Sequence, residues 1–239
     1  MTAEQNLKDT TVVVIGASRG IGLGLVERLH EAGASVIATA RKPDEAAAKL
    51  PKGVRVEALD ITKADSVEAF AKKVDKIDTL IVNAAVGHAD LMKDTDAAQL
   101  QWYLDSNVVG AHRAVLALLP ALRSGAKKQI VLISSTSGSL EKQVGATSGF
   151  TGPYAVTKAA TNMLAVQYHN ELHKEGFTVI PIHPGWVATD MGLEAGVNPK
   201  GPQPISIETS SSGIVNVVAQ LTPDKSATFF QYDGVKLPW

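Results

Sequence analysis

The chain has 239 residues, of which 45% are hydrophobic and 20% charged, a balance typical of a folded globular protein rather than a disordered one. Lysine and arginine number 23 against 24 aspartates and glutamates, so the net charge of −1 gives no electrostatic reason to bind nucleic acid or an anionic membrane. Without any cysteine, the chain can form no disulfide, thiolate nucleophile or cysteine-ligated metal centre.

Short β-branched segments alternate with longer helical patterns along the chain, an order typical of βαβ units and a parallel sheet. The runs 12–15 and 130–133 are wholly apolar, as expected of strands that helices cover on both faces. The predicted strands span 11–15, 35–39, 54–58, 80–83, 129–134, 178–183 and 228–231. The predicted helices lie near 20–32, 43–49, 64–74, 96–119, 153–175 and 206–221. We therefore predict an α/β fold with a seven-stranded parallel sheet and helices on both faces.

A glycine-rich segment, Gly16–Gly22, directly follows the first predicted strand and opens the first predicted helix. Glycines let a backbone turn sharply, and the amide groups and dipole of a helix N-terminus bind the pyrophosphate of a dinucleotide. A strand–helix turn with incidental glycines is one alternative. The G-x-S-x-G nucleophile elbow of α/β-hydrolases is another, but that fold needs several strands before the elbow and only ten residues precede this strand. The cofactor contacts predicted here are Gly16, Ser18, Arg19, Gly20, Ile21 and Gly22.

The end of the second predicted strand indicates which nucleotide is bound. Folds that select NAD place an acid there, which accepts a hydrogen bond from the ribose 2′-hydroxyl. This chain has no acid at that point and continues into Arg41, with Arg19 expected close by in the glycine-rich segment. Two guanidinium groups suit a 2′-phosphate, although two solvated surface arginines are the alternative. We predict NADP(H) as the cofactor.

Two side chains with acid–base potential, Tyr154 and Lys158, stand four residues apart in a predicted helix and therefore face the same way. A tyrosine with a pKa of about 10 is a poor acid or base at pH 7, and a nearby ammonium group lowers that pKa. Tyr232 and Lys236 repeat the spacing, but a glycine lies between them and no helical pattern surrounds them. The first pair is therefore the candidate for proton exchange with a carbonyl or alcohol oxygen.

Two polar residues give that pair its context. Ser135 follows an apolar strand, and ligands gather at the carboxyl ends of parallel strands. Asn107 lies midway along a long predicted helix, where an amide is a mediocre helix former and serves better to hold water or backbone. Both residues join the candidate catalytic set.

Taken in order, these elements resemble the short-chain dehydrogenase/reductase family from about residue 10 to residue 191. The matching set comprises Gly16, Gly20, Gly22, Asp60, Asn83-Ala84-Ala85, Asn107, Ser135, Tyr154, Lys158 and Pro184-Gly185. Segments 184–192 and 232–239 are most similar to its carbonyl-reductase branch, the sniffer and C-factor-like proteins. The resemblance implies a doubly wound Rossmann fold with strand order 3-2-1-4-5-6-7, as one domain over residues 1–239 that binds the dinucleotide and carries the catalytic residues.

The resemblance also implies roles for the matched residues. Tyr154 is the acid/base, and Lys158 lowers its pKa and binds the nicotinamide ribose. Ser135 positions the carbonyl, while Asn107 holds a water in a proton relay. Cofactor contacts are implied for Asp60, Ile61, Asn83, Ala84, Tyr154, Lys158, Pro184, Gly185, Val187 and Thr189.

Three departures from the family pattern surround this set. Ile15 replaces the usual threonine before the first glycine, and Val86 replaces the last glycine of the Asn-Asn-Ala-Gly element. The separation of 19 residues between serine and tyrosine is longer than is common, which leaves Ser134 and Ser137 as alternatives to Ser135. None of these changes removes a reacting group.

The predicted reaction is NADPH-dependent reduction of a ketone or aldehyde, reversible as alcohol oxidation, with a small-molecule substrate. The glycine- and proline-rich segment 191–205 is predicted to be a flexible substrate loop that closes over the cofactor. A catalytically inactive NADP(H)-binding regulatory protein on the same fold is the alternative. An apolar or aromatic substrate is expected to contact Leu140, Val144, Phe150, Trp186, Met191 and Leu193.

Other signals concern the setting of the protein. His169 and His173 have a zinc-like spacing, but the glutamate is two residues after the first histidine, about 200° around the helix, so we predict no metal site. No run of 18 apolar residues and no secretory signal is present, so we expect a cytoplasmic protein with no membrane partner. The resemblance implies a homodimer or homotetramer formed by helices 96–119 and 153–175, and we expect Trp102 to pack internally or against another subunit.

Overall fold

The computed structural model describes residues 6–146, 149–194, 196 and 203–239. Within them, seven parallel strands form one sheet in the order β3-β2-β1-β4-β5-β6-β7, which confirms the predicted fold class and strand order. The strands are β1 (Thr11–Ile15), β2 (Ser35–Ala40), β3 (Arg55–Ala58), β4 (Thr79–Val82), β5 (Gln129–Ile133), β6 (Thr178–His183) and β7 (Phe230–Gln231).

Helices connect the strands and cover both faces of the sheet. They are α1 (Gly20–Glu31), α2 (Pro43–Ala47), α3 (Ala64–Ala71), α4 (Ala97–Leu104), α5 (Gly110–Arg123), α6 (Leu140–Gln143), α7 (Gly152–Leu172), α8 (Asp190–Glu194) and α9 (Ile207–Ala219). Short 3₁₀ turns lie at Met92–Asp94, Thr136–Gly138, His173–Glu175 and Pro223–Lys225. No helix in this part of the chain is long and apolar enough to span a membrane.

The side chains of β1 point alternately to the two faces of the sheet, and each face carries its own layer of the hydrophobic core. Val13 and Ile15 pack in the layer that holds the apolar side chains of α3, α5 and α7. Val12 and Val14 pack in the opposite layer, with those of α1 and α9. Because helices cover both faces, the strand can be wholly apolar, and polar side chains collect at its carboxyl end instead.

The predicted helix 96–119 differs from the structure at two points. A π-helical turn, Asp105–Val109, separates α4 from α5, and α5 continues past Pro120 to Arg123. A proline removes the hydrogen bond to the carbonyl four residues earlier. That residue, Leu116, is 56% exposed, so solvent can reach the carbonyl.

The predicted loop 191–205 is wrong at its start, because α8 occupies Asp190–Glu194. The hydroxyl of Thr189 accepts a hydrogen bond from the amide of Gly192 at 3.1 Å and so caps the first turn. Residues 195 and 197–202 of the predicted loop lie outside the described residues. Ile205 then pairs with Val187, which brings the chain back to the sheet edge.

Candidate active site

A cavity of about 570 Å³ opens at the carboxyl ends of the central strands, where parallel sheets bind ligands. Its volume lies in the range of small-molecule and cofactor sites. The predicted cofactor residues that line it are Gly16, Ser18, Arg19, Gly20, Ile21, Arg41, Asp60, Ile61, Asn83, Ala84, Tyr154, Lys158, Pro184 and Thr189. The other three, Gly22, Gly185 and Val187, are not part of this lining.

The glycine-rich loop is packed directly on the segment that follows β4. A Cβ on Gly16 would lie 2.7 Å from the Cα of Ala84, and one on Gly22 would lie 2.0 Å from the carbonyl oxygen of Gly16. Asn83 Nδ2 donates a hydrogen bond to that same oxygen at 2.7 Å. These contacts explain why Gly22 is needed although it does not line the cavity.

The N-terminus of α1 meets the requirements of a pyrophosphate site. Arg19 precedes the helix without a side-chain cap, and the first turn carries no acidic residue. The first amide groups of the helix are therefore available to anionic oxygens, and the helix dipole favours negative charge there. The residues present fit a dinucleotide at this end of the cavity.

Asp60 faces the cavity as a carboxylate. Its Oδ1 accepts hydrogen bonds from the amide of Thr62 at 3.0 Å and from its hydroxyl at 2.7 Å. Burial works against the charged form, but these two bonds and the charge of Arg41 outweigh it and lower the pKa of Asp60. An ionised acceptor at the end of β3 suits the amino group of an adenine.

The two predicted phosphate-binding arginines both line the cavity, but one of them already has a partner. Arg19 Nη1 lies 2.7 Å from Asp190 Oδ2 at the start of α8, and both side chains are largely exposed. Arg41 lies near enough to Asp60 to influence its charge. The ion pair between Arg19 and Asp190 could not be predicted from the sequence, because the two residues are far apart in the chain and meet only where α8 lies beside the glycine-rich loop.

Tyr154, Ser135 and Lys158 come together at the carboxyl end of β5. Ser135 lies near enough to the Tyr154 hydroxyl to lower its pKa, and its own Oγ accepts a hydrogen bond from the amide of Ser137 at 3.1 Å. Lys158 Nζ donates to the carbonyl oxygen of Ile133 at 2.8 Å and lies 5.5 Å from the centroid of the tyrosine ring. Ser134, one of the alternatives for the catalytic serine, instead turns inward to Asn162 Oδ1. Ser134 also lines the cavity, whereas Ser135 is not part of its lining, so the choice of Ser135 stays a prediction.

Burial controls the protonation of this group. It raises the pKa of Tyr154 above its ordinary value, and the nearby Ser135 only partly opposes that rise. Burial also lowers the pKa of Lys158 to about 8. In the protein alone, loss of solvation is the dominant influence on the pKa of Tyr154, and the role of Lys158 in lowering it stays a prediction. Tyr154 is a neutral phenol at pH 7, the form that donates a proton.

Asn107 occupies the π-helical turn and joins three segments. Its Oδ1 accepts from the amide of Val86 at 2.8 Å, and its Nδ2 donates to the carbonyl of Val86 at 2.8 Å and to Thr157 Oγ1 at 3.0 Å. Thr157 in turn donates to the carbonyl of Tyr154. Because both amide protons have protein partners, this side chain positions its neighbours and cannot donate to a relay water.

Gly87 and Trp102 are site residues that the sequence interpretation missed. A Cβ on Gly87 would lie 2.8 Å from two ring carbons of Tyr154 and 3.2 Å from the sulfur of Met191. Trp102 lines the cavity, contrary to the expectation that it packs elsewhere, and stacks on His88 with ring centroids 6.1 Å apart. The one available signal for Gly87 was its place directly after Val86, where the family pattern has lost its glycine.

The predicted substrate residues separate into two groups. Met191 and Leu193 line the cavity, and the ring of Phe150 lies 5.1 Å from that of Tyr154. Trp186 does not line it but donates from Nε1 to the carbonyl of Gly192 at 2.7 Å and so supports α8.

Leu140 and Val144, the other two predicted substrate contacts, lie away from the cavity. They are 71% and 87% exposed and lie outside the cavity lining. The amide of Glu141 and the hydroxyl of Ser139 both donate to the carbonyl of Trp239, so α6 packs against the end of the chain. That attachment explains why this segment does not cover the site.

α8 lies beside the cavity and is held at its two ends by one ion pair and one hydrogen bond. Asp190 at its start pairs with Arg19, and Glu194 at its end lies 2.9 Å from Nδ1 of His88. The ion pair reaches the cofactor loop, and the hydrogen bond reaches the segment after β4. α8 therefore joins the two halves of the site.

His169, His173 and His183 have structural partners. His169 Nδ1 lies 2.8 Å from the hydroxyl of Ser226, and its ring stacks on that of His173. His183 Nδ1 accepts from the amide of Thr136 at 3.3 Å, and burial lowers the pKa of His183 to about 4. Among the residues that the structure describes, no three acidic or histidine side chains group as metal ligands.

Comparison with known proteins places this geometry in context. The family model described as short chain dehydrogenase matches residues 10–199. The 1-hydroxy-2-glutathionyl-2-methyl-3-butene dehydrogenase of Rhodococcus sp. strain AD45 is 34% identical, over 96% of this chain and 100% of its own length. The NADPH-bound carbonyl reductase from chicken fatty liver is 27% identical, with a TM-score of 0.85 over 97% of this chain and 95% of its own.

The carbonyl reductase Sniffer of D. melanogaster shares the fold, with a TM-score of 0.84 at 24% identity over 97% of this chain and 100% of its own. That likeness is one of fold, and the predicted resemblance to carbonyl reductases is confirmed by the chicken enzyme at 27% identity.

Proposed function

The chain belongs to the short-chain dehydrogenase family of oxidoreductases, and from that premise we propose that it reduces a ketone or aldehyde with NADPH, using Tyr154 as the proton donor. The observation that carries the proposal is the grouping of Tyr154 and Lys158, both buried, at the carboxyl end of β5, with Ser135 near enough to influence the pKa of Tyr154. A regulatory protein without catalysis would not need this arrangement.

NADPH, when bound, supplies a hydride from its nicotinamide ring to the carbonyl carbon. The residues of the chain bind and orient it. The uncapped N-terminus of α1 receives the pyrophosphate, Asp60 receives the adenine, and Lys158 binds the nicotinamide ribose. Preference for NADPH is supported by Arg41 and Arg19 on the cavity wall and by the NADPH in the chicken carbonyl reductase.

The proton transfer follows from the protonation of Tyr154. Its phenol holds its proton at pH 7 because it is buried, and an alkoxide that forms beside it is a far stronger base. Ser135, which lies near the Tyr154 hydroxyl, donates a hydrogen bond to the substrate oxygen and stabilises the negative charge that develops on it. Lys158 has a pKa of about 8, so it holds a proton at pH 7 that can help to restore the phenol.

An apolar or aromatic carbonyl is the substrate class that the walls favour. Trp102, Met191 and Leu193 line the cavity, and Phe150 packs on Tyr154. We also propose a homodimer or homotetramer. The exposed apolar side chains that support it are Trp102, Val109, Leu116, Val156 and Met163, all on the stretch from α4 to α5 or on α7.

The test is NADPH consumption with aliphatic, aromatic and quinone carbonyls, comparing the wild type with Tyr154→Phe. We expect turnover to fall on the order of 1,000-fold or more, because the variant lacks the general acid, while NADPH binding persists. Tyr232→Phe is the matched control, since Tyr232 has the same spacing from a lysine but packs against Gly185. Substantial turnover by Tyr154→Phe would contradict the proposal.

A further inference from the structure

The position of Ser135 relative to Tyr154 depends on how the turn after β5 packs against α7. The two residues are 19 positions apart, so the intervening chain does not fix their distance. Ser135 belongs to a turn, 134–138, that ends in the short 3₁₀ segment Thr136–Gly138. Contacts between this turn and α7 must therefore bring the two hydroxyl groups together.

One side chain of α7 bonds both ends of that turn. Asn162 Oδ1 accepts from the hydroxyl of Ser134 at 2.6 Å, and Asn162 Nδ2 donates to the carbonyl of Gly138 at 3.1 Å. Ser134 directly precedes Ser135, and Gly138 follows it by three positions. Asn162 is 4% exposed and Ser134 is 1% exposed, so water does not offer a substitute for either bond.

The turn also touches the backbone of α7 directly. A Cβ on Gly138 would lie 2.4 Å from the carbonyl carbon of Lys158 and 2.8 Å from the amide nitrogen of Ala159. Only glycine allows this approach. It occurs one helical turn before Asn162 and one turn after Tyr154, so the three side chains at 154, 158 and 162 form one stripe facing the turn.

From these contacts we infer that Asn162 is a positioning residue that fixes the turn carrying Ser135 on the helix that carries Tyr154. The inference rests on the proposed function, because it assigns Asn162 to the same proton transfer. The carboxamide is the group that this position needs, since one end must accept from a hydroxyl and the other must donate to a carbonyl. Asn162 does not line the cavity, so it acts only through the turn.

The test is a double-mutant cycle that joins Asn162→Ala to Ser135→Ala, with kcat, KM for the carbonyl, and NADPH affinity measured for each enzyme. We expect Asn162→Ala to lower kcat on the order of 100-fold, the loss that a misplacement of about 1 Å causes, with NADPH affinity unchanged. In the double variant, kcat should equal that of Ser135→Ala alone, because Asn162 has nothing left to position.

Thr161→Val is the matched control. Thr161 is also buried in α7, but its hydroxyl donates to Thr157 within the helix and does not reach the turn. It should cost some thermal stability and leave kcat unchanged. If Asn162→Ala does not fold, Asn162→Asp keeps the acceptor for Ser134, removes the donor to the carbonyl of Gly138, and enters the same cycle.

The positioning role would be overturned if Asn162→Ala left kcat unchanged. It would also be overturned if the fold-losses of Asn162→Ala and Ser135→Ala multiplied in the double variant. Either result would leave the proposed function intact. A wild type that binds NADPH but reduces no carbonyl would overturn both. A double variant whose kcat equals that of Ser135→Ala alone would support the inference.

Discussion

The two walls of the cavity are held in different ways. On the cofactor side, backbone packs on backbone, with the Cβ positions of Gly16 and Gly22 within 3 Å of neighbouring main-chain atoms. On the substrate side, α8 is held by the ion pair Arg19–Asp190 and by the hydrogen bond between His88 and Glu194, whose side chains are 44% to 81% exposed. The first wall tolerates almost no change of shape, whereas such exposed contacts give the second only weak support.

This difference separates recognition of the cofactor from recognition of the substrate. The cofactor wall is built so that one ligand shape fits, while the substrate wall can change its side chains without disturbing the sheet. Variants at the boundary between the two walls therefore show whether the functions are separable.

The largest effect is expected at Gly87, where the substrate wall touches the acid. Gly87 has no positive φ, so alanine adds a contact rather than backbone strain. That contact is with the Tyr154 ring at 2.8 Å. We expect Gly87→Ala to lower kcat on the order of 100-fold by displacing the ring, with NADPH affinity retained.

Steady-state kinetics and NADPH fluorescence titration would measure both quantities. The matched comparison is Tyr154→Phe, which keeps the ring in place and removes only the proton. Equal losses of turnover and of NADPH affinity in Gly87→Ala would show that the two walls do not act separately.

A smaller effect is expected at Arg41, on the cofactor wall alone. Replacement by aspartate removes a guanidinium group and adds a carboxylate where the 2′-phosphate is proposed to bind. We expect Arg41→Asp to weaken NADPH binding on the order of 10-fold to 100-fold, the range of a lost charge-assisted hydrogen bond, with little change for NADH. Equal weakening of both nucleotides, measured by titration, would contradict the assignment.

The same difference between the walls explains how far the sequence could predict the site. The glycine-rich loop was predictable because backbone contacts of the kind seen at Gly16 permit few residue types, whereas Asp60 and Asn83 came from the family resemblance. The alternation of apolar runs with helices predicted a parallel sheet, and the resemblance supplied its strand order. These features depend on local sequence and on rules that hold for every doubly wound sheet.

No comparable sequence rule predicts which side chains form the substrate side of the cavity. Leu140 and Val144 were predicted to contact substrate because they are apolar and near Tyr154 in sequence, yet bonds to the carbonyl of Trp239 hold their helix elsewhere. Gly87 and Trp102 were missed because their contacts join segments far apart in the chain. The raised pKa of Tyr154 was also missed, since burial depends on the whole fold.

The smallest effect is expected at the ion pair that joins the two walls. If Arg19 binds the 2′-phosphate, Asp190 competes for the same guanidinium group in the free protein. Asp190→Asn should then strengthen NADPH binding by up to about five-fold, the upper range for an exposed ion pair, and leave NADH binding unchanged. The gain should shrink as salt screens the charges.

Glu194→Gln is the matched control, because Glu194 lies on the same helix but pairs with His88 rather than with a cofactor residue. It should leave the affinity for both nucleotides unchanged, which would exclude a general loosening of α8 as the cause. Weaker NADPH binding by Asp190→Asn would mean that Asp190 orients Arg19 toward the phosphate instead of competing with it. In that case α8 would belong to the cofactor wall, and the division between the two walls would have to be redrawn at Met191.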